Sequence, residues 1–157
     1  MIATAHSPRP ARDLAYLHPG FIFASRTATS ISAVLGSCVA VCLWEPRLKI
    51  GGANHFLLPH NAACESGSAR YGATAVPALV EALERLGCRR ENLRAKVFGG
   101  ASINVSFRSK LAAENAGIAL ELLEELGIAV EVVDTLGSRG RKIVFDTDTG
   151  RAEVRYL

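Results

Sequence analysis

The sequence predicts an α+β domain: layered, mostly antiparallel β-sheets with about two helices packed outside. Three observations lead there. Six or seven short apolar segments read as strands, only two segments carry the period of an amphipathic helix, and hairpins dominate over strand–helix alternation. The 157 residues suffice for one domain with a real core, and 49% hydrophobic with 21% charged residues is ordinary globular composition.

Met1 to Asp13 is polar, carries Pro8 and Pro10, and lacks the apolar core of a signal peptide. Residues 1–14 are therefore expected to form a flexible arm, and residues 15–157 a single domain. With no run of 18 apolar residues, no membrane insertion is expected. Four cysteines without a secretory signal point to reduced thiols in the cytoplasm. The net charge of +3 comes from scattered arginines with no aromatic-interleaved stripe, which argues against nucleic acid.

Phe21 to Arg26 and Thr29 to Val34 read as the first two strands. Val39 to Trp44 is apolar on both faces, as in a central buried strand, and Ile50 to Leu58 returns beside it. Glu45-Pro46-Arg47-Leu48 is the turn, with a loop of four residues, because Pro46 cannot enter a type I′ turn. Ala75, Leu79, Leu83 and Leu86 make one helical stripe within Tyr71 to Leu86, where Pro77 sits in a first turn or marks a kink. Leu93 to Phe98 is a strand. A second helix runs from Lys110 to Leu126, with Ser109 as cap and Leu111, Ile118, Leu122 and Leu126 facing the core. Ile128 to Asp134, Lys142 to Asp146 and Ala152 to Leu157 complete the strands.

A turn centred between Pro46 and Arg47 pairs Cys38 with His55, with a bulge at Gly51-Gly52 as the alternative that would shift the pairing by one. Directly opposed residues share a sheet face with Cβ atoms roughly 4.5–5.5 Å apart, close enough for a thiol and an imidazole to share a proton. A buried cysteine and a core histidine account for the same residues without chemistry. Two features favour chemistry: Gly36-Ser37 opens the strand just before Cys38, and Gly51-Gly52 admits close approach of backbone or ligand. Zinc held by Cys38, Cys42, His55 and Cys64 is disfavoured, since strand residues four apart lie roughly 13 Å from each other.

The run Leu35 to Trp44, then Gly51-Gly52, Asn54-His55 and Leu58-Pro59, closely resembles the bacterial chemoreceptor glutamine deamidases, the CheD family. Tyr16 to Gly20 upstream, Ala95 to Ala101, Asp134-Thr135, Gly140 to Lys142 and Phe145 extend the resemblance over roughly residues 15 to 157. The resemblance implies a cysteine hydrolase, a protein-glutamine glutaminase that needs no cofactor. Its fold would be layered like the catalytic domain of the cytotoxic necrotizing toxins. It implies a catalytic set of Cys38, His55 and Ser32, the last standing six residues before Cys38 where the family places threonine. Gly99, Gly100 and Ser102 end a strand and are candidate substrate-groove residues, with a tight turn as the plainer reading. The implied partners are cytoplasmic helices of methyl-accepting chemotaxis receptors and a CheC-type phosphatase. The segment Ile103 to Ser109 departs from the family, and Glu114-Asn115 stands where Arg-Asn is expected. The departures leave open a non-enzymatic binding module. A papain-like peptidase or transglutaminase uses the same pair but matches none of the surrounding motifs.

Overall fold

A computed structural model describes residues 11–60, 67–103 and 108–157. Nine strands, two α-helices and a single 3₁₀ turn are arranged in three layers among these residues. The outer layer is a four-stranded sheet in the order β1 (Asp13–Tyr16), β3 (Thr29–Leu35), β8 (Arg141–Asp146), β9 (Ala152–Tyr156). The middle layer is a five-stranded sheet in the order β2 (Ile22–Ser25), β5 (Ile50–Asn54), β4 (Val39–Glu45), β6 (Arg94–Gly99), β7 (Ala129–Thr135). Helices α1 (Gly72–Arg85) and α2 (Arg108–Glu125) cover its other side. Five of the seven strand pairings are antiparallel; β1 with β3 and β6 with β7 are parallel. The fold is α+β, as expected.

β4 is the centre of this arrangement because it has no polar face to show to water. All seven of its residues are buried. Val39, Val41 and Leu43 point at the helices, and Ala40, Cys42 and Trp44 point into the space between the sheets. Each fully buried branched side chain contributes about 1.5–3 kcal/mol relative to exposure, so both faces anchor a core.

Four details differ from expectation. Residues 12–14 are not part of an arm: Asp13 and Leu14 pair with Thr29 and Ser30, and Arg12 donates from Nε to Asp148 at 2.8 Å. That ion pair is nearly closed to water on the Arg12 side, which ties the chain down before β1. The turn after β4 does span Pro46 to Lys49, but its centre lies one residue later. Cys42 pairs with Ala53 and Glu45 with Ile50, because Lys49 adopts φ 58° and donates its N–H to the Glu45 carbonyl at 2.9 Å. Pro77 lies well inside α1, which is the longer of the two helices that the sequence left open for this segment. The buried stripe of α2 is Ala112, Asn115, Ala116, Ile118, Ala119 and Leu123, with Leu111, Leu122 and Leu126 at its margins. Alanines let the helix axis come close to the sheet, and that closeness outweighs the pull of the leucines. Ser109 falls inside the helix, so it is not the cap.

Candidate active site

Cys38 stands at the mouth of β4, half-buried against the cluster between the sheets. The chain holds it through three successive carbonyls. Gly36 O accepts from Ala101 N at 2.8 Å, Ser37 O from Asn115 Nδ2 at 3.0 Å, and Cys38 O from Gly100 N at 2.9 Å. Burial pushes the Cys38 thiol up from its ordinary pKa, and hydrogen bonding by its own backbone opposes that in part.

His55 follows β5 and is 1% exposed. The corrected register places it diagonal to Cys38 rather than opposite. Val39 bridges to Phe56, so the odd-numbered partner of Ala40 is His55. The pair sum has moved by two, and a shift of two preserves the face. Cys38 and His55 therefore both belong to the inter-sheet side of the middle sheet. Asn54 makes this possible. Its Oδ1 takes the Val41 N–H at 2.9 Å in place of a backbone carbonyl, while its Nδ2 donates to Ala75 O at 3.0 Å. The backbone of His55 is thereby released from β4 and bonds instead to the segment before β2: Gly20 N donates to His55 O at 2.7 Å, and His55 N to Phe21 O at 3.3 Å.

The ring of His55 has a defined tautomer. Nδ1 lies 2.9 Å from the Leu17 carbonyl, which can only accept, so Nδ1 carries the proton and Nε2 keeps its lone pair. Nε2 is buried and has no hydrogen-bond partner among the described residues. Burial lowers the His55 pKa, outweighing the opposing effect of the Leu17 bond, and the neighbouring His18 lowers it further. The ring is a neutral base on the cysteine's side of the sheet. Its open nitrogen makes no hydrogen bond to the Cys38 thiol, so the direct sharing of a proton expected from the register is not seen.

Ser32 is not the group that orients it. β3 buries Ile31, Ala33 and Leu35 between the sheets, so Ser32 and the 43%-exposed Val34 face the other way. Its cross-strand partner Tyr16, 51% exposed, shares that outer face. Ser32 contributes only its carbonyl, which accepts from Leu17 N at 2.8 Å and so steadies the residue that does hold His55.

Gly99 and Gly100 are buried rather than lining a groove. A Cβ on Gly99, at φ 109°, would stand 2.2 Å from Cys38 O, and one on Gly100, at φ 67°, would stand 2.9 Å from Ala112 O. They are glycines so that the end of β6 can back the cysteine. Ser102 ties this turn to α2, its Oγ donating to Ser109 Oγ at 2.6 Å. Gly51 and Gly52 likewise admit backbone, not ligand: their Cβ atoms would lie 2.6 Å from Thr147 O and 2.3 Å from Phe23 O.

The remaining thiols are poor nucleophile candidates. Cys42 is completely buried and its pKa is driven far up, while Cys88 is pushed up to about 11 by burial and by Glu45. Cys64 and residues 104–107 lie outside the described residues. No three His, Cys, Asp or Glu side chains are grouped as metal ligands among the described residues. Arg141, 2% exposed, donates to both the backbone and the carboxylate of Asp134 at 2.6 Å, so this pair of motif residues locks β7 to β8. Leu17 and Asn115 are the site residues that the sequence did not single out by role. A backbone carbonyl leaves no mark in sequence; a lone asparagine on an alanine-rich helical stripe does.

The family model for CheD chemotactic sensory transduction matches residues 57–156. The chain belongs to the CheD family. A protein of Anaeromyxobacter dehalogenans named as a probable chemoreceptor glutamine deamidase CheD 1 is 52% identical over 148 residues, 93% of this chain and 86% of that one. A CheD protein of Sulfurimonas denitrificans with the corresponding name is 39% identical over 90% of this chain and 93% of its own length. A third, from Vibrio vulnificus, is 42% identical over 88% of this chain and 69% of its own. The match to the CheD model begins two residues after His55. The alignments to relatives extend over most of the chain. Among the described residues no helix is long and apolar enough to cross a membrane.

Proposed function

We propose that this CheD protein hydrolyses the side-chain carboxamide of glutamine in chemoreceptor helices, with Cys38 as nucleophile and His55 as base. The observation that carries the proposal is the state of His55. Its Nδ1 proton is committed to Leu17, its Nε2 is free, and it shares a sheet face with a cysteine at an open strand end. Kinship with proteins named as chemoreceptor glutamine deamidases supplies the substrate class.

In the resting site, burial favours neutral thiol and neutral imidazole over the ion pair. Nε2 takes the thiol proton as sulfur attacks the carboxamide carbon, since thiolate is the reactive form. A tetrahedral oxyanion forms. His55 then returns the proton to the departing nitrogen, ammonia leaves, and a thioester remains. Water, deprotonated by the same Nε2, cleaves the thioester to glutamate and frees the thiol. The Leu17 carbonyl does the work of the third member of a triad: it fixes the tautomer and stabilises the imidazolium. The reaction belongs in the cytoplasm, where receptor signalling helices lie, and a CheC-type phosphatase is a second partner.

Purified protein incubated with a receptor cytoplasmic fragment is expected to raise the mass of specific glutamines by about 1 Da, as NH₂ is replaced by OH. Binding of the fragment with no mass change would leave a receptor-binding module without turnover. Chain cleavage or cross-linking to lysine would indicate the other chemistries of a Cys-His pair.

A further inference from the structure

Asn115 is the one polar residue in the buried stripe of α2, fully buried and flanked there by Ala112, Ala116 and Ala119. Its Nδ2 donates to two carbonyls, Ser37 O at 3.0 Å and Leu57 O at 2.9 Å. Ser37 precedes Cys38, and Leu57 lies two residues beyond His55. A single amide on a helix thus holds both loops that deliver the catalytic pair. Its Oδ1 is buried without a partner among the described residues. A hydrocarbon side chain would avoid that orphaned acceptor, but it would leave two carbonyls of the site loops without their donor.

The clamp has a consequence through peptide geometry. The described chain has no cis peptide bonds, and in a planar trans peptide the C=O of one residue points opposite to the N–H of the next. Holding Ser37 O toward α2 therefore aims the Cys38 N–H away from α2. Ala101 N does the same for the preceding peptide by holding Gly36 O at 2.8 Å, which aims the Ser37 N–H. The Ser37 and Cys38 N–H groups donate to no other residue among those described. Two adjacent unpaired donors beside a nucleophile, with the carbonyl of each peptide held by another part of the fold, are the groups from which an oxyanion site is built.

Given Cys38 as nucleophile, we infer that Asn115 is the positioning residue of an oxyanion site formed by the backbone N–H groups of Ser37 and Cys38. It touches neither substrate nor sulfur; it acts by fixing the peptide plane between Ser37 and Cys38.

The test separates oxyanion stabilisation from thiol reactivity. Asn115→Asp keeps the size of the side chain and replaces both donated bonds by an oxygen facing two carbonyls. The expected result is a fall in kcat for receptor-fragment deamidation of at least about 30-fold, with KM changed less than about threefold. Alkylation of Cys38 by iodoacetamide builds no oxyanion, so its rate should stay within about twofold of wild type. Deamidation and alkylation falling together would assign Asn115 to holding the fold or the Cys-His pair, and would overturn the inference. An unchanged kcat would overturn it as well. If Asn115→Asp does not melt cooperatively, Asn115→Ser, with one shorter donor, is put through the same two assays under the same criteria. Cys38→Ala is run alongside: activity surviving there defeats the nucleophile assignment itself. A dead Cys38→Ala with a fully active Asn115 variant defeats only the oxyanion inference.

Discussion

At the far end of β4 the hairpin satisfies itself. Lys49 N–H returns to the Glu45 carbonyl, Leu48 N–H returns to the Glu45 carboxylate, and Gly150 packs its backbone against the Trp44 ring. At the near end the chain is satisfied from one side only. The carbonyls of Gly36, Ser37 and Cys38 are all held by donors from the turn after β6 and from α2, while the Ser37 and Cys38 N–H groups are left for something else. Both ends use glycines for close backbone approach. One end closes the fold on itself, and the other uses the rest of the fold to keep a short segment open. The two thiols of the strand follow the same division. Cys42 is sealed in the middle and its ionisation is suppressed; Cys38, four residues earlier on the same face, keeps partial access to solvent.

The largest effects should fall at the open end. Cys38→Ala is expected to cut glutamine deamidation at least about 1,000-fold by mass spectrometry while unfolding remains cooperative. Cys42→Ala should keep turnover within about threefold and cost about 1 kcal/mol in urea unfolding, the ordinary price of a small buried deletion. The reverse outcome would erase the distinction between the two thiols.

Next come the glycines. Gly150→Ala places a Cβ 2.3 Å from the Trp44 ring at φ 73°, and is expected to destabilise by roughly 3 kcal/mol with kcat per folded molecule unchanged. Gly99→Ala, whose Cβ would meet Cys38 O, should lower both stability and kcat. If both variants lose only stability, the two ends of β4 are equivalent and the open end has no special geometry.

A smaller effect sharpens the electrostatic side. The His55 pKa is lowered, so the base stays neutral as pH falls, and the acid limb of kcat/KM should lie below the ordinary imidazole value of about 6.5. The unfolded chain binds that proton first, so stability should decline as pH falls from about 6.5 toward the folded-state pKa of His55. The Cys38 pKa is raised, so iodoacetamide labelling in the absence of substrate should keep accelerating above about pH 8.5. A labelling midpoint below the ordinary thiol value would mean a resting ion pair instead of a neutral one.

The smallest expected change is at Ser32. With its side chain on the outer face of the outer sheet, Ser32→Ala should alter kcat by less than about twofold, well short of the effect of one charge-assisted hydrogen bond. A tenfold loss would return the hydroxyl to the site and displace Leu17 from its role.

The chain order alone determined the elements with strong local signals: β4 with two apolar faces, the four-residue loop after it, and the two amphipathic helices. It also placed Cys38 and His55 on one face, even though the turn centre was off by a residue, because a pair-sum shift of two leaves side-chain parity intact. β1 was not legible. It is four residues at a sheet edge, mostly exposed, paired in parallel with β3, and such a strand carries no periodic signal. The stripe of α2 was misplaced because leucine was weighted over alanine, whereas close packing against the middle sheet selects the small residues. Only the tertiary structure decided what surrounds the pair. The group that orients His55 is a carbonyl, which every residue possesses, and only the path of the chain past Leu17 selects the one that is used. Asn115 reaches Ser37 across 78 residues of sequence, a separation that local pattern cannot bridge. Periodicity records which face a side chain takes, while the proposed chemistry rests on where peptide groups point, and those directions are set by partners brought from elsewhere in the chain.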